Sequence, residues 1–192
     1  MLKLPFIRIG FVCGLVVTGL GGIAQAAMQS GSVGLGKVSF TAETNVKMFK
    51  FTGNATDLHS KFQRDGESLS SFELSIPVAA LKTGMDIRDR HMQERVFTTD
   101  SGSMPDIVFK SSQSTCGAGD SKTERKCEIQ GFLTIRGQEK PYLLSLVIKD
   151  GNQAMGHAVI DVTQFGVTDK ALSYEGIKVN PKVVLDFQVT VI

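Results

Sequence analysis

The sequence predicts an all-β protein, an eight-stranded antiparallel barrel that carries one short helical segment. Apolar and polar residues alternate with a period of two through most of the chain, which is typical of strands with one buried face. Turn sequences that contain glycine separate the alternating runs, and such short connections join antiparallel neighbours. Only residues 78–97 lose the alternation and gain helix-forming residues. A two-sheet sandwich is the alternative architecture.

The strands are assigned to the alternating runs. In the third run Phe72, Leu74 and Ile76 share one face. Arg136-Gly137 follows the fifth run and has turn chemistry. Eight strands favour a closed or nearly closed barrel, because closure removes exposed edges, and a barrel of this size can enclose one small ligand. The predicted strands span residues 38–43, 48–56, 69–76, 107–112, 127–135, 141–149, 154–161 and 183–191.

Residues 78–97 predict a short helix across one end of the barrel. Thr83 followed by Asp86 fits an N-terminal capping pattern, and Asp86 with Arg90 fits an (i, i+4) ion pair. An apolar stripe gives this helix a side that is expected to face the barrel. The stripe consists of Met85, Met92 and Val96.

The first 26 residues have the three parts of a secretory signal peptide. Lys3 and Arg8 give a basic start, residues 9–23 form an uncharged apolar run, and Ala24-Gln25-Ala26 fits a cleavage site. The apolar run is shorter than the roughly 20 residues that a membrane-spanning helix needs. We therefore expect cleavage after Ala26 and a mature domain of residues 27–192 without a stable membrane span. A retained single-span anchor is the alternative.

Cleavage changes both the charge and the cysteine content. The mature chain keeps 19 basic and 19 acidic residues, and this neutral balance without a basic stripe argues against binding to nucleic acid. It also keeps only Cys116 and Cys127, for which an oxidising compartment favours a disulfide. Residues 117–126 between them are charged and aperiodic, which predicts a long hairpin loop. A redox pair is the alternative, although such pairs have CxxC-like spacing.

Motifs for catalysis and metal binding are absent from the sequence. His59, His91 and His157 have no metal-ligand partner at i+3 or i+4 and belong to no Cys/His cluster. The G-x-S-x-G sequence of a nucleophilic serine does not occur. We therefore predict neither catalytic residues nor a metal site.

The apolar strand face carries the candidate ligand contacts, although each of its residues also suits an ordinary core. The chain has no tryptophan, and Gly53, Gly131 and Gly156 lie within strands, where glycine leaves room or marks a bend. Room inside a barrel whose inner face has few charges indicates a cavity for an apolar ligand. The candidate residues are Phe40, Phe49, Phe51, Phe72, Phe109, Leu133, Leu146 and Phe187.

Several segments of the chain resemble the YceI-like proteins. These segments are LKTGMDIRDRHMQERVF (81–97), Met104-Pro105 before IVFKSS (107–112), GFLTIRGQEKPYLLSLVI (131–148) and DVTQFGV (161–167). The resemblance implies a lipocalin-like barrel in the periplasm that holds a polyisoprenoid or an isoprenoid quinone without a chemical step. Residues 36–53 (GKVSFTAETNVKMFKFTG) depart from the family pattern of His-Ser and F-x-V-x-H, so the cavity entrance is expected to differ. The cysteine-flanked loop also resembles an addition to the family pattern.

The first hypothesis is therefore a periplasmic protein that binds or carries an isoprenoid lipid. A quinone or polyprenyl lipid would be its ligand, and no other cofactor is expected. Arg88, Asp89 and His91 are the candidates for contact with the polar head group, and Met92 completes the predicted binding residues. The alternatives are an enzyme that uses the same polar cluster as acid or base on an apolar substrate, and an accessory protein of a membrane redox partner. The sequence does not decide between a monomer and a homodimer.

Overall fold

A computed structural model of the protein describes residues 29–31, 33–65, 68–150 and 153–191, and the predicted signal peptide lies outside these ranges. The strands are β1 (Gln29–Gly31), β2 (Val33–Thr44), β3 (Lys50–Ala55), β4 (His59–Asp65), β5 (Ser68–Ile76), β6 (Leu81–Lys82), β7 (Ile107–Ala118), β8 (Glu124–Ile135), β9 (Gln138–Lys149), β10 (Gln153–Asp161), β11 (Ser173–Tyr174) and β12 (Ile177–Val191). The helical segments are α1 (Asp86–Met92), a π-helical turn that follows it (Gln93–Phe97), and 3₁₀ turns at Val78–Ala80 and Val162–Phe165.

The strands curl into an antiparallel barrel. Their order is β1-β4-β5-β7-β8-β9-β10-β12-β2-β3-β6, and β11 pairs with β12. Only Ser32 separates β1 from β2, so the two form one N-terminal strand. This strand pairs with β12 on one side and with β3 and β4 on the other, and the sheet therefore closes on itself. Gly31 pairs with Phe62 and Val38 pairs with Ala55, so β1–β2 and β3–β4 keep one continuous register. The predicted antiparallel barrel with one short helix is confirmed, but the described residues form twelve strands rather than the predicted eight. Eight longer strands remain when β1–β2 and β3–β4 are each counted as one and the two-residue strands β6 and β11 are left out.

Strand β4 is the main strand that the sequence did not predict. Its residues, HSKFQRD, include one large apolar residue, Phe62, and therefore lack the alternation of a half-buried strand. Pairing with β5 on one side and β1 on the other defines this strand in the barrel. Tertiary pairing thus overrides a weak local pattern.

Strand β8 shows the predicted alternation most clearly. Ile129, Leu133 and Ile135 are 0%, 5% and 3% exposed, whereas Phe132 on the other face is 42% exposed. The following hairpin turn has positive φ angles at Arg136 (54°) and Gly137 (71°), which is the geometry that matches the twist of paired strands. The predicted turn therefore holds β8 and β9 in register from Ile135 onward.

Phenylalanine rings fill the space beside the strand glycines. A methyl group on Gly53 would overlap the ring of Phe40, and one on Gly156 would overlap the ring of Phe187. A methyl group on Gly131 would lie 2.8 Å from Cζ of Phe109. The prediction that these glycines leave room for a ligand is therefore wrong, because each glycine instead lets an aromatic ring pack against the backbone.

The helix begins later than the capping pattern predicts. Met85 occupies the N-cap position and no side chain caps the helix, so the predicted Thr83 cap is wrong. Thr83 instead donates its backbone N–H (2.7 Å) and its hydroxyl (2.5 Å) to Oδ1 of Asp89. Among the described residues no ion pair joins Asp86 to Arg90. Met85 is 49% exposed, so the side of the helix that faces the barrel does not include it.

The predicted disulfide between Cys116 and Cys127 is confirmed. The two cysteines are register partners on β7 and β8, and Cys127 is buried. Strand pairing continues past them to Ala118 and Arg125, so the predicted long loop is reduced to the short turn between Ala118 and Glu124. Along β8 the disulfide lies eight residues from Ile135, or roughly 27 Å at strand rise. It therefore links β7 and β8 toward the barrel end opposite the one that Ile135 occupies.

Candidate ligand-binding site

A cavity of about 260 Å³ lies between the helical segment and one end of the barrel. Its walls come from strands on all sides and from the helical residues above them, so barrel closure and the helix together create the space. The walls are mainly apolar, which favours an apolar ligand. The wall residues from the long strands are Val38, Phe40, Ala42, Phe51, Ile76, Ile107, Ile135, Ile160, Ile177, Val179, Val183 and Leu185.

One face of the helical segment covers the cavity. Six residues of the segment line the space, the last of them being Phe97. The other five recur at spacings of three, four, seven and eight, which places these five on one side of a helix. The segment changes from α-helix to π-helix after Met92, and such π-helical turns often occur at functional sites. The five residues are Arg88, His91, Met92, Arg95 and Val96.

The Arg88 side chain lies against an aromatic wall of the cavity. Its guanidinium carbon is 4.8 Å from the ring centre of Phe51, a cation–π distance. Its Nη2 contacts Sδ of Met85 at 3.6 Å. Phe51 in turn packs edge-on against Phe49, with ring centres 5.1 Å apart. The charged group is therefore held at the cavity by apolar and aromatic neighbours.

The Tyr174 ring contacts the other two basic side chains of the lining. The Arg95 guanidinium carbon is 5.3 Å from the Tyr174 ring centre, and the His91 ring centre is 4.7 Å from it. Tyr174 is 46% exposed, so this part of the lining reaches solvent. A hydrogen bond with Glu175 raises the pKa of the Tyr174 hydroxyl, and the negative charge of Glu175 adds to this effect. The phenol therefore stays neutral near pH 7.

Asp89 is bound by Thr83 and fixes the helix. It is 4% exposed, and it accepts both hydrogen bonds from Thr83. Thr83 follows β6, which pairs with β3, so Asp89 ties α1 to the barrel wall. A buried carboxylate needs such donors, since burial of an unpaired charge is costly. Asp89 is thus a structural anchor of the cavity cover.

Residues 34–191 match the family of proteins with a YceI-like domain. The chain belongs to the YceI-like family. No curated protein sequence matches this YceI-like chain. The match extends over nearly all of the barrel and includes the helical cover with its Arg88-Asp89-Arg90-His91-Met92 sequence.

Solved structures share the fold of this YceI-like protein at low sequence identity. The crystal structure of BcnA from Burkholderia cenocepacia has 18% identity and a TM-score of 0.64, covering 82% of this chain and 96% of that one. A polyisoprenoid binding domain from Saccharophagus degradans has 13% identity and a TM-score of 0.60, covering 83% and 95%. The YceI protein of Campylobacter jejuni has 20% identity and a TM-score of 0.58, covering 76% and 86%. These likenesses establish the fold.

The structure of the YceI-like chain brings five of the residues predicted from sequence to the cavity. They are Phe40, Phe51, Arg88, His91 and Met92. Phe49 is 44% exposed beside Phe51. The other predicted residues belong to or pack against the hydrophobic core and lie outside the lining of this cavity. They are Phe72, Phe109, Leu133, Leu146 and Phe187.

Sequence reasoning missed three polar residues of the lining, which are Arg95, Tyr174 and the Thr83 that was assigned to the helix cap. Arg95 follows Arg88 by seven residues and His91 by four, so helical spacing could have found it. The predicted stripe of the helix contains only apolar residues, so it does not include Arg95. Tyr174 lies on the two-residue strand β11, which pairs only with the start of β12. Its position depends on tertiary folding and has no local signal.

Two further properties concern the described residues of the YceI-like chain only. Within them, no helix has both the length and the hydropathy to cross a membrane. No group of three or more His, Cys, Asp or Glu side chains in that part of the chain is arranged to hold a metal ion.

Replacement of Asp89 by Ala is expected to lower the free energy of unfolding by about 1–2 kcal/mol, because two donors of Thr83 lose their partner. The matched control is Asp86→Ala on the exposed side of the same helix, for which we expect a change within about 0.5 kcal/mol. Urea unfolding of both variants measures the difference. Equal stability of the two variants would show that Asp89 does not anchor the helix.

Proposed function

We propose that this YceI-like protein is a periplasmic carrier that binds the apolar chain of an isoprenoid lipid in the helix-covered cavity. The observation that carries the proposal is the cavity itself, which is walled mainly by aliphatic and aromatic side chains from strands around the barrel. The Saccharophagus degradans domain of the same fold, described as polyisoprenoid binding, supports this class of ligand. A polyprenyl lipid and an isoprenoid quinone both carry such a chain.

Burial of the chain supplies the affinity in this proposal. Each methylene group removed from water contributes about 0.8 kcal/mol, so a five-carbon isoprene unit contributes roughly 4 kcal/mol before ordering costs are subtracted. The cavity volume of about 260 Å³ lies just below the range of roughly 300–1,000 Å³ that is typical of small-molecule sites. A short stretch of chain therefore fills it, and we expect affinity to rise with chain length and then to level off.

The compartment is inferred from two features. The sequence of residues 1–26 predicts export, and a disulfide between Cys116 and Cys127 suits an oxidising compartment such as the periplasm. A carrier in that compartment would shield the apolar chain from water between membranes or between a membrane and an enzyme.

The polar residues of the site favour binding over catalysis. Asp89 is committed to Thr83, and the His91 ring packs against Tyr174, so these two residues do not form an acid–base pair. The enzyme alternative assigns the acid or base to the cluster of Arg88, Asp89 and His91. If it holds nevertheless, His91→Ala would abolish turnover of an apolar substrate while leaving the fold intact.

Mass spectrometry of lipids extracted from the protein, purified from its own host, tests the proposal. We expect an isoprenoid compound close to one per protein molecule, and its mass distinguishes a quinone from a polyprenyl lipid. Delipidated protein should take up geranylgeraniol from detergent solution. Protein that is repeatedly empty on purification and takes up no prenol would overturn the proposed function.

A further inference from the structure

The turn between β2 and β3 exposes three large apolar side chains. Met48 is 98% exposed, and Val46 and Phe49 are each close to half exposed. Met48 also has a φ of 67°, in the left-handed region where glycine is more stable than a residue with a side chain. This methionine therefore costs conformational energy and gains no burial in the barrel. Its apolar surface is available for contact outside the protein.

Hydrogen bonds hold the turn against the start of β12. The Asn45 backbone N–H donates to the carbonyl oxygen of Lys178 (2.9 Å), and the Lys178 backbone N–H donates to Oδ1 of Asn45 (2.8 Å). Within the turn, the Thr44 hydroxyl donates to the carbonyl oxygen of Phe49 (2.9 Å), and the Phe49 N–H donates to the carbonyl oxygen of Val46 (3.1 Å). These polar groups already have partners, which lowers the cost of moving the turn into an apolar medium.

Aromatic contacts connect the turn to the cavity. The Phe49 ring packs edge-on against Phe51, whose side chain lines the cavity. Phe51 lies under the Arg88 guanidinium, which also contacts Sδ of Met85 at 3.6 Å. Met85, just before α1, is 49% exposed. One exposed apolar surface therefore extends from the turn and the beginning of α1 to the cavity wall.

The charges around this surface leave one basic group in excess. Lys47 is exposed in the middle of the turn and forms no ion pair with another described residue. Lys50 pairs with Glu43 at 2.8 Å, and the single charges of Asp86 and Arg88 offset each other at the start of α1. A lysine can lay its apolar stem along apolar neighbours and keep its ammonium group in water. Lys47 is therefore suited to the anionic head groups of a bilayer.

We propose that this surface, which we call the docking tip, binds the protein to a bilayer that contains anionic lipids. Its apolar side chains enter the interface between water and the acyl chains, and its lysine lies at the head groups. A lipid leaves the bilayer along Phe49 and Phe51 and enters the cavity. This inference rests on the proposed function, because it assigns the route by which that ligand is loaded. The residues of the docking tip are Val46, Lys47, Met48, Phe49 and Met85.

A bilayer suits the docking tip better than a protein partner does. A stable protein interface takes roughly 800 Å² from each partner. The docking tip has four apolar side chains, and three of them are already about half buried, so it offers less area. Binding to a bilayer requires no complementary surface, and its strength rises with the apolar area that enters the interface.

Vesicle flotation tests the docking tip. The delipidated mature chain is mixed with vesicles of equal parts phosphatidylcholine and phosphatidylglycerol, or of phosphatidylcholine alone. We expect binding to both kinds of vesicle. Binding to the anionic vesicles should be about fivefold tighter, because one lysine near a negatively charged surface supplies about that factor. Lys47→Gln should remove most of this difference.

Met48→Asn is expected to weaken vesicle binding about tenfold, because burial of a large apolar side chain contributes at least that factor. Asparagine tolerates the left-handed conformation, so the turn keeps its shape. Met48→Leu keeps the apolar surface and should bind vesicles as the unmodified protein does. The matched control is Leu143→Asn, which should also bind normally. Leu143 is 51% exposed on β9, three strands from β2 in the sheet.

The loading of ligand separates docking from binding in the cavity. Vesicles that carry geranylgeraniol are mixed with delipidated protein, and mass spectrometry follows the ligand on the recovered protein over time. We expect Met48→Asn to load about tenfold more slowly than the unmodified protein, because less of it is bound to the vesicles. The same variant should bind geranylgeraniol from detergent solution with unchanged affinity, since Met48 does not line the cavity.

The outcomes separate the two proposals. Vesicle binding that Met48→Asn leaves unchanged overturns the docking tip. Unmodified protein that binds no vesicles but takes up geranylgeraniol from detergent also overturns it, and leaves the proposed function standing. Protein that takes up geranylgeraniol from neither source overturns the proposed function and the loading route with it.

Other occupants of the docking tip would give different results. Self-association that depends on Met48 and occurs without vesicle binding, measured by sedimentation, assigns the tip to a second copy of the chain and overturns the bilayer. Attachment to host membranes but not to vesicles of their extracted lipids indicates a protein partner and also overturns the bilayer.

Discussion

A tryptophan at position 42 weakens the binding of a prenyl chain at least tenfold while the barrel stays folded. Ala42 is a small, buried residue of the cavity wall, so a large side chain there occupies space that the ligand needs. Exclusion of one isoprene unit removes roughly 4 kcal/mol of favourable burial free energy. A tenfold loss of affinity corresponds to only about 1.4 kcal/mol, so exclusion of part of one unit is enough to cause it. The dissociation constant for geranylgeraniol, measured by calorimetry, gives the effect.

The matched control is Val159→Trp. Val159 is 48% exposed on the outer face of β10, so the same large residue there should leave binding unchanged. Val183 is the register partner of Ala42 on β12, and Val183→Phe offers a second way to fill the cavity if Ala42→Trp does not fold. Folded variants at both positions that bind geranylgeraniol normally would exclude this cavity as the chain site.

An alanine at position 131 is expected to lower the free energy of unfolding by about 3 kcal/mol, which corresponds to a Tm lower by roughly 6–12 °C. The added methyl group would overlap the backbone carbonyl oxygen of Lys110 and lie 2.8 Å from the ring of Phe109. The ring can turn, but the carbonyl belongs to strand β7 beside a register shift between Ser111 and Gln113. Removal of this overlap therefore requires the backbone to move. Differential scanning calorimetry measures the resulting decrease in stability.

Gly117→Ala is the control for this substitution. Gly117 also lies in the β7–β8 hairpin, but a methyl group there meets no atom within 4 Å. We expect a neutral or slightly stabilising effect, because alanine restricts the unfolded chain more than glycine does. If Gly131→Ala is as stable as Gly117→Ala, the close packing of Phe109 and Lys110 against position 131 does not matter for stability.

The buried faces of the strands were predictable from sequence, because the alternation of apolar and polar residues within a strand indicates which face is buried. Ile129, Leu133 and Ile135 alternate with polar or exposed residues and are buried as predicted. The Arg136-Gly137 turn was predictable for a similar reason, since its positive φ angles select the residue types. Strand β4 was not predictable, because its single large apolar residue gives no alternation and its pairing is set by distant strands.

The sequence identified the kind of residue at the site better than the position of each residue. Phe40 and Phe109 have the same local pattern, yet Phe40 lines the cavity and Phe109 is core. The difference depends on which barrel end the helix covers, and no single strand encodes that. Tyr174 belongs to the site through the pairing of β11 with β12, which is likewise a tertiary property.

Photochemical crosslinking tests most directly whether an apolar chain occupies the helix-covered cavity. The probe is a prenyl alcohol with a diazirine on its last isoprene unit, and peptide mass spectrometry locates the adducts. Occupation of this cavity predicts adducts on lining residues such as Met92, Val183 and Leu185, and their loss in Ala42→Trp. Adducts confined to exposed outer-face residues such as Phe132 and Leu143 would contradict it.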